Sequence, residues 1–111
     1  MKKSVEVRCS SLCMHVMIEA IRTHIEVYFP EGSGGVGLDA RHALLEVVEH
    51  LQQALAAGNA SFQLNKRIRP FCSVALDNYF SAQDKPEAQC ALLKAALKGQ
   101  AVSEQAYLNC A

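Results

Sequence analysis

Four groups of residues have types and spacing that could carry chemistry. Gly32, Gly34 and Gly37 satisfy G-x-G-x-x-G ahead of a helical pattern, the arrangement in which backbone N–H groups at a helix start cradle phosphate. A dinucleotide site also needs a buried apolar strand before the glycines and a parallel strand after the helix. Here an amphipathic helical pattern precedes them and no second βαβ unit follows, so the glycines read as a connection between helices.

His42, Glu46 and His50 recur every four residues on one helical face, and His15 with Glu19 makes a similar pair upstream. A metal ion needs three or four ligands within about 2.0 to 2.2 Å of one point. His42 and His50 stand about 12 Å apart along a helix axis, too far to share one ion. The alternative is convergence of His15, Glu19, Glu46 and His50 from two adjacent helices. Both pairs lie opposite the apolar stripes, which favours a solvated face held by i,i+4 contacts.

Cys9, Cys13, Cys72, Cys90 and Cys110 make an odd count without paired spacing, which fits reduced thiols used as small core residues. Cys110 is the one expected at the surface, where it would be free to form an intermolecular bridge. Lys66, Arg67 and Arg69 are the densest charge cluster, and with Lys2, Lys3 and Arg8 they would form one phosphate-binding patch if the two segments were adjacent. No nucleophile-elbow motif marks a serine, histidine and acid set, so nothing here supports an enzyme, and no cofactor is expected.

The element that must position these groups is residues 12–29. Met14, Ile18, Ile21, Ile25 and Tyr28 follow one another at steps of four and three, one apolar stripe of an α-helix. His15, Glu19, Arg22, Thr23 and Glu26 fall opposite. Leu12, Val16, Met17, Val27 and Phe29 lie off the stripe, and a helix apolar over so wide an arc is central in its own bundle or shared between two chains. Those five are therefore the expected partner-binding residues.

Pro30 ends that helix. Asp39 reads as the N-cap of a second helix through Ala57, its stripe formed by Leu44, Val47, Val48, Leu51 and Leu55 and its end by Gly58. The two are expected to pack as an antiparallel hairpin. Val5, Val7 and Cys9 alternate with Glu6 and Arg8, which fits either a strand or an early turn of the first helix; if a strand, Ser10 or Ser11 caps that helix. Phe62 and Leu64, within residues 60–65, would pair with that segment as a two-stranded ribbon.

Pro70 belongs in the first turn of a third helix to about Phe80, with Phe71, Ala75 and Tyr79 as its stripe. Asp84, Pro86 and Glu87 read as the start of a fourth, Asp84 the N-cap, with Cys90, Leu93 and Leu97 inward and Gly99 at its end. A last helix from Ser103 to about Asn109 would dock through Tyr107 and Leu108.

These elements amount to a mainly all-α bundle of four to five helices, with the ribbon as an option, in a single domain over residues 1–111. Half the residues are apolar, and 11 basic residues balance 11 acidic ones, so no bulk charge draws the chain to DNA or an acidic membrane. No run approaches the roughly 20 apolar residues of a spanning helix. Lys2 and Lys3 resemble a secretory start, but Glu6 and Arg8 interrupt the apolar region such a signal needs, so a cytoplasmic protein is expected. The function class that fits is a non-enzymatic protein-interaction module, such as an adaptor, escort chaperone, inhibitor or immunity-like protein, either self-associating as a dimer or binding another protein. A nucleic-acid-associated regulator using Lys66 to Arg69, and a small-ligand or metal-binding protein, are the alternatives.

Overall fold

A computed structural model of the chain describes residues 3–32 and 34–110. The apolar stripe of residues 12–29 becomes helix α1 (Ser11–Tyr28), whose free N-terminal amides are met by the Ser10 hydroxyl accepting from the Cys13 N–H. Met14, Ile18, Ile21 and Ile25 are buried, but Tyr28 is 55% exposed, because the core ends one turn before the helix does.

Two further long helices cover α1: α2 (Val36–Ala56) and α3 (Arg69–Ala82). Helix α2 begins three residues before Asp39, which therefore sits inside its first turn instead of capping it; Gly35, at φ 57°, makes the entry that a side chain would resist. Its Leu44, Val47, Val48 and Leu51 are buried, each contributing about 1.5 to 3 kcal/mol. Pro70 does occupy the first turn of α3. Phe71 is not in the core with Ala75 and Tyr79 but 38% exposed.

Helices α4 (Glu87–Leu97) and α5 (Glu104–Leu108) complete the bundle. Asp84 does not cap α4, whose preceding residue is Pro86. It takes φ 52° and closes α3 instead, with Lys85 N–H donating to Phe80 C=O and Asp84 N–H to Ser81 C=O. In α5 Tyr107 is buried, while Leu108 is 48% exposed and does not dock.

The N-terminal alternation is a strand. β1 (Ser4–Arg8) pairs antiparallel with β2 (Ser61–Asn65), in register from Ser4 opposite Asn65 to Arg8 opposite Ser61. Val7, Phe62 and Leu64 turn inward to the helices; Glu6, Gln63 and Asn65 turn out. The resulting architecture is a mainly α bundle of five helices with a short two-stranded ribbon.

Candidate functional site

Two concave surfaces meet at Phe71. The first is a trough of about 370 Å³, inside the size range of ligand pockets, between the side of α2 and β2. Ala40, Ala43, Val47, Ile68 and Phe71 supply apolar lining. Asp39, Glu46 and His50 stand along the α2 wall, and Gln63, Asn65 and Arg67 along the β2 wall. On the α2 wall His50 Nε2 lies 3.9 Å from Glu46 Oε1, one turn apart.

The second surface lies where the last turn of α1 meets α3, lined by His24, Tyr28, Phe29, Pro70, Phe71 and Val74 together with Asn78. Val27, Tyr28, Phe71 and Val74 all stay more than a third exposed, side chains whose burial would be favourable. Aromatic rings gather here: the His24 centroid lies 4.7 Å from that of Tyr28 in a tilted pair and 5.7 Å from that of Phe29, and Phe29 lies 6.2 Å from Phe71, the last two pairs T-shaped. Beneath them His24 is 6% exposed and its Nδ1 has no hydrogen-bond partner. Burial also lowers its pKa, so the ring is neutral at neutral pH.

The expected partner-binding residues part company on this fold. Met17 is 1% exposed and enclosed by the chain's own core, while Leu12 and Val16 are half-buried against it. Val27 is 64% exposed beside Tyr28, and half-buried Phe29 lines the α1–α3 surface. Sequence spacing passes over His24 and Val74 and assigns Tyr28 and Phe71 to the core. The available signal was that His24 stands three residues after Ile21 and four before Tyr28, hence on the apolar face.

The two His–Glu pairs are not brought together. Glu19 lies against Tyr79 on α3, where burial and then the carboxylate raise the phenol's pKa, whereas Glu46 and His50 face β2. Among the described residues no group of three or more His, Cys, Asp and Glu is placed to hold a metal ion. In the basic cluster Lys66 and Arg67 are exposed and Arg69 half-buried. Lys66 N–H donates to Lys3 C=O, so Lys3 joins the cluster. Arg8 is at the other end of β1, its guanidinium donating to Gly99 C=O. Lys2, also expected in that patch, and Ser33 of the glycine segment lie outside the described residues.

Cys9, Cys13, Cys72 and Cys90 are buried and Cys110 half-buried. Burial pushes the Cys9 and Cys72 thiols up to about 12 and, with the Asp77 carboxylate, Cys90 to about 11, which leaves them protonated and poorly nucleophilic. Among the described residues no helix is long and apolar enough to cross a membrane. No protein-family model, no curated protein and no solved structure matches this chain.

Proposed function

We propose that the chain is a non-enzymatic, cytoplasmic protein-interaction module, of the adaptor, escort-chaperone, inhibitor or immunity-protein kind, that associates with a second copy or another protein through apolar surface. The observation that supports this is the α1–α3 surface, where Tyr28, Phe71 and Val74 remain exposed around buried His24, whose Nδ1 has no hydrogen-bond partner. Large exposed apolar side chains gathered in one place mark interaction sites more often than scattered ones do. Light scattering at high micromolar concentration, combined with affinity capture of partners, tests it. The expected result is a mass above that of the monomer, or a stoichiometric partner, lost in the Tyr28→Lys, Val74→Lys double variant. A strict monomer whose captured proteins are the same for both forms would contradict it.

A second reading, a nucleic-acid-associated regulator, is favoured by the juxtaposition of Lys3 with Lys66 and Arg67. It requires affinity for a nucleic acid that falls steeply with salt and is lost on Lys66→Ala and Arg67→Ala.

A further inference from the structure

The hydrogen bonds that flank the ribbon fix the phase of its ladder. Lys66 N–H donates to Lys3 C=O at one end and Cys9 N–H to Ala60 C=O at the other, so the bonded pairs are Lys3 with Lys66, Val5 with Leu64, Val7 with Phe62 and Cys9 with Ala60. The residues between them, Ser61, Gln63 and Asn65, direct their backbone groups away from β1. Among the described residues no third strand pairs there. Among the described residues the Asn65 carbonyl is taken by the Ile68 N–H, while the N–H groups of Ser61, Gln63 and Asn65 and the carbonyls of Ser61 and Gln63 face outward with no backbone partner.

That row of donors and acceptors borders the trough, since Gln63 and Asn65 line it and the inward-facing Phe62 and Leu64 do not. Resting on the protein-interaction reading, we infer that the trough is a strand-addition site: an extended segment of a partner protein pairs with the outer edge of β2, between that edge and α2. Alternate side chains of the occupant point inward, to the apolar lining of Ala40, Ala43, Val47, Ile68 and Phe71. A basic side chain among the others answers Asp39 and Glu46 on the α2 wall. The five residues of β2 extend about 16 Å, enough for a segment of similar length.

The occupant is a single extended segment and not a second copy of this chain. Pairing two β2 edges would bring the two α2 helices, each carrying exposed Asp39 and Glu46 beside the trough, to one seam, a like-charge approach. One strand with a basic residue meets the same acids favourably.

Selection of phage-displayed dodecapeptides on the full chain, followed by fluorescence anisotropy of the enriched peptides as synthetic probes, tests the site. Enriched sequences should alternate apolar residues and carry Lys or Arg between them. Binding should fall roughly tenfold in Gln63→Pro, which removes one outward N–H and leaves the ladder to β1 intact, while Gln63→Ala keeps it. Asp39→Lys with Glu46→Lys should turn the preference toward acidic peptides. Unchanged melting temperatures verify that the variants fold. Failure to enrich any peptide, or equal affinity for Gln63→Pro, overturns the inference. Peptides that perturb the NMR signals of Tyr28 and Val74 and leave the amide of Gln63 unmoved overturn it too, yet leave the protein-interaction proposal standing.

Discussion

The two edges of one ribbon are finished differently. Just past the end of β1 a buried segment crosses: Val102 N–H donates to Arg8 C=O, Ser10 N–H donates to Val102 C=O, and Val102, 3% exposed, bridges Cys9 in parallel, while among the described residues the outward groups of Ser4 and Glu6 have no backbone partner. The turn that brings this segment in needs Gly99 at φ +106°, where an added Cβ would come within 3.3 Å of Val5 Cγ2. Along β2, among the described residues, no segment crosses: only the Asn65 C=O is taken, by the nearby Ile68 N–H, and a trough borders the edge. An edge left open is ordinarily a hazard, restrained here by its five-residue length. The contrast is between an edge crossed at one end by a buried segment and an edge that borders a trough, the one the strand-addition proposal uses.

Removing what both edges depend on should have the largest effect. Leu64 is 1% exposed on the core face of β2, and Leu64→Ala should cost about 2 to 5 kcal/mol in a denaturant titration, destabilising the ribbon as a whole. Substitution at the segment that crosses the end of β1 should be milder: Val102→Ala loses two buried methyl groups and should cost about 2 kcal/mol. The matching change at the open edge, Gln63→Ala, should stay within about 0.5 kcal/mol, because the side chain is exposed. Equal costs at 63 and 102 would erase the asymmetry.

A pH scan separates the ribbon from the aromatic surface. The His24 pKa in the folded chain lies below its ordinary value of 6.5, so the unfolded chain takes up the proton first. Stability should therefore be unaffected by this group above about pH 6.5 and decline as pH falls from there toward the folded pKa. His24→Phe should remove that contribution to the slope, and by removing an unpartnered buried Nδ1 should not lower the melting temperature at pH 7. A similarly small stability effect, within about 0.5 kcal/mol for each change, is expected of Tyr28→Lys with Val74→Lys, while association is lost.

How far the sequence discloses all this depends on whether a residue's role is local. Helix α1 follows from the steps between Met14 and Ile25, and the Ser10 cap and the Pro70 start follow from chemistry within one turn. The ribbon is visible only as alternation at Val5 to Cys9 and at Phe62 to Leu64, since pairing across some 55 residues leaves no local mark. Asp84 misleads because aspartate suits both an N-cap and a left-handed helix end, and the packing of α3 on α4 decides between them. Glu46, His50 and Arg67 attract notice as separate metal and nucleic-acid candidates; that they border one trough depends on where α2 and β2 come to rest. The open edge belongs to backbone atoms of Ser61, Gln63 and Asn65, and no side-chain pattern encodes it.

Residue-resolved amide hydrogen exchange on the full chain, at low concentration and without partner, tests the edge asymmetry most directly. The amides of Phe62, Leu64 and Val102 should be protected to nearly the stability of the whole fold, and those of Ser61 and Gln63 should exchange almost as in an unfolded chain. Protection of Gln63 equal to that of Leu64 would mean the edge is already covered, and the strand-addition site would be lost with it.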